Sequence, residues 1–393
     1  MKSRGLFAMT VVVLAVLAAT SCARRSPRRA APATDDPLEA GWRFACAITN
    51  DADDRAACQE RIALAYLDRG DSERALVLGE QIENWRRGVV LAEAAAKLAE
   101  GGQTNAARAR AAEAEAIGRG IQDWQRDRIL ARAAKSAVFL GQEAEVGRRS
   151  AFYRSNPEYR GELAAYQALT LARRGAWTNA LAVLDGLADS THLDVSSWRA
   201  NGYLLLAKAE PPGSAQTREA LAQAWAASAR VPGTKRWDVR LGLVEEAVAL
   251  NEAASARSWL EEVSTNLLAA APPAYIHAPL VAQLAVRWGL LREAERVAAC
   301  ERAAEPLIRQ LQAIEQPALF ALLGEAWARL GDTQKGLTYY EHAMALAGQL
   351  TNPRPRAMAG VDICLSLERA RLRHRPVSEG LNRLLAGFGA THG

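Results

Sequence analysis

From Leu38 onward, residues that turn or break a chain recur at a nearly constant distance, and this periodicity restricts the fold more than any other feature. Gly70, Gly102, Gly141, Gly175, the Pro211 to Gly213 stretch, Asn251, Gly289, Gly331 and the neighbourhood of Arg375 stand about 31 to 44 residues apart. That distance fits one helix-turn-helix unit each and predicts an array of helical hairpins. Side chains repeat in step with the turns. Five residues after Gly70, Gly102, Gly175, Asn251, Gly289 and Gly331 stand Ala75, Ala107, Ala180, Ala256, Ala294 and Gly336. Seven residues before the same turns stand Ala63, Ala95, Ala168, Val244, Ala282 and Gly324. Small residues at both places let the two helices of a hairpin approach closely, where bulk would hold their axes apart. Gly141 departs from the pattern, with Val146 at the later position.

Composition agrees. About a fifth of the residues are Ala, 6% are aromatic, and period-two runs of Val, Ile and Thr are hard to find after residue 20. This favours helices over a large sheet. Breakers fall where hairpins should join, at Asn156-Pro157, Pro232-Gly233, Pro272-Pro273, Pro306 to Pro317, and Asn352-Pro353-Arg354-Pro355. Proline cannot continue a helix and restricts the residue before it. The expectation is an all-α chain of about nine antiparallel hairpins forming one curved α-solenoid over residues 38–393.

The stretch Leu319 to Gly348 resembles a tetratricopeptide repeat. Leu323 and Gly324, Trp327, Gly331, Gly336, Tyr340 and Ala343 stand where that family has Leu-Gly, an aromatic, the turn Gly, a small residue, an aromatic and Ala. Ile62 to Ile82 matches in part, keeping Ala63, Tyr66, Gly70 and Ala75, with Gly79 in place of the second aromatic. Other units keep little beyond the turn and the small residues. The resemblance implies a right-handed superhelix of degenerate repeats; a helical repeat of another lineage is the alternative.

The first residues supply an address. Lys2 and Arg4 precede an apolar stretch from Leu6 to Ala19, which is too short for a membrane span and has the layout of a secretory leader. Ala19-Thr20-Ser21-Cys22 resembles the lipobox of bacterial lipoproteins. That resemblance implies removal of residues 1–21, a lipidated Cys22, and, with Ala23 rather than Asp next, an outer-membrane lipoprotein facing the periplasm. Residues 22–37 then read as a flexible tether, with three prolines and four arginines. The formal charge is +5; without Lys2 and Arg4 it is +3, and without Arg24, Arg25, Arg28 and Arg29 it is −1. The basic balance belongs to the leader and tether, which argues against nucleic acid as a partner.

The remainder offers little chemistry. Cys46 and Cys58 flank a turn at Asn50 to Asp54 and could form a disulfide; two apolar thiols is the other reading. Cys300 and Cys364 are far apart. The five histidines are scattered and no HExxH, CxxC, acidic calcium loop, GxSxG, phosphate loop or dinucleotide fingerprint is present, so neither a metal nor a cofactor is expected. Thr191-His192-Leu193-Asp194 reads as a turn with Asp194 capping the next helix. Glu245-Glu246 and Glu261-Glu262 are adjacent on helices and point to different azimuths, unlike an acid and base that face each other. Trp85, Trp124, Trp177, Trp198, Trp225, Trp259, Trp288 and Trp327 read either as packing between repeats or as aromatic platforms for a ligand.

In tetratricopeptide proteins partners contact the first helix of each hairpin at six, three and two residues before the turn Gly. Carried to this chain, the polar positions are Arg173, Glu245, Gln283, Arg287, Glu325 and Arg329. The resemblance thus implies a non-catalytic, membrane-anchored scaffold for envelope proteins. The rival is an envelope carbohydrate binder or polysaccharide lyase on a closed α/α toroid, where a ring would converge on Tyr, His and Arg. A third reading is self-association through an exposed end of the array.

Overall fold

The computed structural model describes residues 34–388, apart from 122–123, 152–155, 271 and 374. The leader, Cys22 and the tether up to residue 33 lie outside the described residues. Among the described residues the chain is all-α, with nineteen helices and no strand. Helix α1 (Pro37–Cys46) comes first. Eight antiparallel pairs follow: α2 (Ala52–Arg69) with α3 (Ser72–Gly79), α4 (Arg86–Glu100) with α5 (Thr104–Arg119), α6 (Trp124–Phe139) with α7 (Glu143–Ser150), α8 (Pro157–Arg173) with α9 (Trp177–Asp185), α10 (Leu193–Ala209) with α11 (Ala215–Ser228), α12 (Lys235–Ala249) with α13 (Ala253–Ala270), α14 (Ala274–Leu290) with α15 (Ala294–Ile308), and α16 (Gln316–Leu330) with α17 (Thr333–Gln349). Helices α18 (Pro353–Ala370) and α19 (Arg375–Ala386) end the described chain.

Local chemistry sets the helix ends. Side chains of Asp51, Asp71, Ser214, Asp332 and Asn352 accept backbone N–H groups of the first helical turns at 2.9–3.0 Å. Gly70, Gly102, Gly141, Gly175, Gly213 and Gly331 have positive φ, as the turns require, and Asn251 joins them at 64°. All the small residues predicted at the crossings except Ala294 are buried. At the last complete hairpin an added Cβ on Gly324 would lie 3.1 Å from the Gly336 carbonyl, and one on Gly336 3.0 Å from the Gly324 carbonyl. His192 rather than Asp194 caps α10: its Nδ1 accepts from the Asp194 N–H at 3.3 Å, and Asp194 sits in the first turn.

Two turns are displaced from the sequence reading. Gly289 is helical, within α14, and the turn falls at Arg292, whose φ is 61°. Ala285 and Val297 therefore take the crossing positions and are fully buried, while Ala294 is exposed. A Cβ on Gly289 would sit 2.4 Å from the Ala326 carbonyl oxygen, so this glycine serves the approach of α14 to α16 instead of a turn. The final turn is at Arg371, with φ 54°, not near Arg375.

Each even-numbered helix packs on the next from α2 to α18, and the contacts then return to the start, because α18 packs on both α1 and α2. The order of contacts is cyclic. The ninth hairpin does not form as expected: α19 packs on α17 and α1, and the main antiparallel partner of α18 is α1. Glycines admit this closure. A Cβ on Gly360 would meet the Phe44 ring at 2.6 Å, and one on Gly41 would meet Ile62 at 2.6 Å. Charge seals it. Arg69 binds Asp36 at 2.7 Å and Glu368 at 2.6 Å, Arg61 binds Asp362 at 2.6 Å, and Arg354 binds Asp51 at 3.2 Å and also Asp54. Asp36 also caps α1, and the backbone N–H of Thr34 donates to Asn382, so the folded unit begins before the expected tether boundary at residue 37.

Which layer faces inward follows from reach. Arg173 on α8 bonds Glu100 on α4, and Arg329 on α16 bonds Glu245 on α12, each passing over an intervening even helix. Lys208 on α10 acts on Asp68 of α2. Such spans are available only on the concave side, so the even helices line the inside.

Candidate partner-binding site

Four of the six positions singled out in the sequence meet in one cluster. Glu245 of α12 bonds Arg287 of α14 at 3.0 Å and Arg329 of α16 at 3.2 Å; Arg329 bonds Glu325, one turn earlier on α16, at 3.0 Å. Arg369 of α18 completes the group with a 3.0 Å contact to Glu325. Helix geometry explains the convergence. Positions four apart lie on one helix face, and successive even helices hold those faces side by side.

Glu325 is 1% exposed and its charge is satisfied from three sides, by Arg329, Arg369 and the Ser366 hydroxyl, which donates at 3.0 Å. The Tyr340 hydroxyl lies 3.0 Å from Ser366 Oγ, and burial pushes the phenol well above its usual range. Among the described residues three guanidinium groups here share two carboxylates, which leaves one positive charge in excess. Burial pulls the Arg287 guanidinium down from its ordinary value, whereas Arg369 is held up by Glu325 despite burial. Arg329 Nε is buried and without an acceptor. A carboxylate arriving from solvent would meet Arg369, whose side chain is 47% exposed, and would use bidentate geometry.

The other two positions lie apart from these contacts. Gln283 is half-buried on α14, four residues before Arg287. Arg173 is on the opposite arc, bonded to Glu100 at 2.7 Å with its guanidinium over the Phe139 ring. Sequence reasoning missed Arg369 because the last turn was misplaced; two residues before the true turn at Arg371 is Arg369. It also missed Ser366, whose buried hydrogen bonds carry no spacing signal, and it singled out Tyr340 as a repeat aromatic without the hydroxyl bond to Ser366.

A second charged group staples the first half of the ring. Lys135, almost fully buried, lies 3.0 Å from Glu93 and 2.7 Å from Glu162, and Arg132 also bonds Glu93. Burial alone would raise the Glu93 carboxyl, yet Lys135 and Arg132 outweigh it and hold it at about 2. Glu60, 3% exposed, binds Arg86 at 2.6 Å and Arg128. These contacts join α2, α4, α6 and α8, with Arg86, Arg128, Arg132 and Lys135 set against Glu60, Glu93 and Glu162.

Of the two readings for Cys46 and Cys58, the structure has the free thiols and no bridge, with Cys46 exposed at the end of α1 and Cys58 buried in α2. Cys46 Sγ instead accepts from Gln59 Nε2 at 3.6 Å. Most tryptophans are used in packing. Trp288 and Trp327 are buried, Trp225 stacks on Trp259 with centroids 4.7 Å apart, and Trp85 meets Trp124 edge-on. Trp124 is 52% exposed. Among the described residues no group of three or more His, Cys, Asp or Glu could hold a metal, and no helix is long and apolar enough to cross a membrane. No protein-family model and no curated protein matches the chain.

Proposed function

We propose that this chain is a membrane-anchored periplasmic scaffold, a tetratricopeptide-like right-handed superhelix drawn into a ring, whose inner face binds an acidic segment of an envelope protein without catalysis. The observation that carries the reading is the cluster of Arg287, Arg329 and Arg369 around Glu245 and Glu325, with its unbalanced positive charge and half-exposed Arg369. Lipidation at Cys22 would hold the ring at the outer membrane, leaving residues 23–33 as the spacer. The test is photo-crosslinking in cells from a probe at position 369, with a probe at Arg302 of α15 as the outward control. Capture of one envelope protein from position 369 alone, reduced by Arg287→Gln and by Cys22→Ser, supports the reading. Equal or absent capture from both positions rejects it.

The cyclic order of contacts favours one rival, a carbohydrate binder or lyase on a toroid. That reading expects glycan, not protein, to depend on the inner face. Retention of the protein on cell-wall or capsular polysaccharide, lost in Arg369→Gln, would transfer the assignment to it.

A further inference from the structure

One joint in the array is open. Among the described residues the outer helix of seven of the eight paired hairpins also packs on the next inner helix, whereas α7 makes no comparable contact with α8. The sequence accounts for the gap. Helix α7 has only eight residues, and its Gly147 has nothing within 4 Å of where a Cβ would be. A cleft of about 410 Å³ results between α6, α7, α8 and α9, with Val138, Val146, Leu163, Leu171 and Val183 as its apolar walls. Its size falls within the range of small-molecule sites, which combine apolar walls with a few placed polar groups.

One cation stands at the lip. Arg174 crosses the turn glycine of this hairpin, with its Nη2 2.5 Å from where a Cβ on Gly141 would be, so only glycine at 141 permits that pose. Arg174 has no carboxylate within ion-pair distance among the described residues, whereas its neighbour Arg173 is paired with Glu100. Glu143, the other charged lining residue, is solvent-exposed in the first turn of α7, where the helix N-terminus offsets its charge. An apolar cleft with one unpaired guanidinium at its mouth matches a ligand with an apolar body and a single carboxylate.

We propose that the cleft between α7 and α8 binds an amphiphilic monocarboxylate of the fatty-acid type, with its chain against Val138, Val146, Leu163, Leu171 and Val183 and its carboxylate on Arg174. This site is separate from the inner-face cluster and does not rest on the scaffold reading. The full-length chain carrying Cys22→Ser, with labelled Val and Leu methyl groups, is titrated with decanoate and followed by NMR. The expected result is saturable shifts confined to these five residues. Arg174→Gln weakens decanoate about ten-fold or more, the loss of a charge-assisted pair, while leaving decanol unaffected. Gly147→Phe fills the cleft and abolishes both, without cost to folding, since Phe replaces a helical glycine that faces open space. The absence of saturable shifts at these methyls with millimolar decanoate overturns the proposal. So does decanoate binding that survives Gly147→Phe in a folded protein, or equal affinity of decanoate for the parent and Arg174→Gln.

Discussion

The exchange of Gly289 for Arg292 as the turn residue of the α14–α15 hairpin gives a test with opposite signs for the two placements. If Gly289 is helical and pressed against α16, adding a Cβ helps the helix by about 1 kcal/mol through propensity. It also forces an atom to 2.4 Å from the Ala326 carbonyl oxygen, where ordinary contact begins near 3.4 Å. The oxygen belongs to a helix backbone and cannot rotate away, so α14 and α16 must separate. Overpacking of this kind costs about 1–3 kcal/mol. The two terms net about 0–2 kcal/mol of destabilisation for Gly289→Ala, and more for Gly289→Asn, because the added amide must enter the same interface. Arg292→Gly relieves a left-handed conformation that costs an L-residue about 1–2 kcal/mol, less the greater chain entropy of glycine, a net gain of about 0.5–1 kcal/mol. Urea denaturation followed by circular dichroism reads both as midpoint shifts at constant slope. Were the turn at Gly289, Asn would be tolerated there and Arg292→Gly would weaken a helix interior. A neutral Gly289→Asn together with a destabilising Arg292→Gly would refute the packing argument.

Removing Glu325 leaves Arg329 and Arg369 short of a buried counter-charge, so Glu325→Ala should cost about 3–5 kcal/mol in urea denaturation, and a change below 1 kcal/mol would mean the pairs are solvated. Glu93 and Glu115 are both held at about 2, Glu93 by Lys135 and Arg132 against its burial and Glu115 first by Arg148. Depressed carboxyls lend stability that is complete above the unfolded value near 4.5 and is lost as pH falls toward 2. The stability of the chain should therefore drop between about pH 5 and pH 2, and more shallowly in Glu93→Gln. Burial raises both thiols, Cys58 to about 11, but Cys46 is exposed, so native-state maleimide labelling under non-reducing conditions should modify Cys46 before Cys58; a protected Cys46 would indicate a bridge.

Local and cumulative information separate cleanly in this chain. Turn residues and crossing residues act within about twelve positions of each other, so Gly70 with Ala63 and Ala75, or Gly331 with Gly324 and Gly336, were legible from spacing alone. Gly289 was misread because a helix-crossing glycine and a turn glycine look identical in sequence; only the neighbouring helix, forty residues on, distinguishes them. The inner-face charged cluster was partly legible for the same reason. Glu245, Glu325 and Arg329 follow from helix phase, whereas Arg287 was reached from the misplaced turn at Gly289 and lies five residues before the true turn at Arg292; Ser366 and the Tyr340 hydroxyl enter through buried bonds that depend on how α17 and α18 settle.

Ring closure was the least legible feature, and the cause is geometric. Nine units closing one turn require an average rotation of about 40° each, set by the small residues at every interface. A few degrees per unit, the difference between Ala and Val at one crossing, accumulates to a displacement larger than a helix diameter by the ninth. No local pattern reports such a sum. What the sequence does carry is the receiving surface: Gly41 and Gly360 remove side chains where α1 meets α2 and α18, and Arg69 stands between Asp36 and Glu368. These residues are about 300 positions apart at the extremes, and each looks ordinary alone. Closure also alters what the inner face can do. An open superhelix adapts its pitch to a partner, whereas a ring fixed by these ion pairs holds Arg287, Arg329 and Arg369 at set distances. Arg69→Ala, which releases both Asp36 and Glu368, should therefore weaken binding at the inner face while leaving Glu245, Arg287 and Arg329 chemically intact. A binding constant unchanged in Arg69→Ala would mean that the cluster acts without the ring.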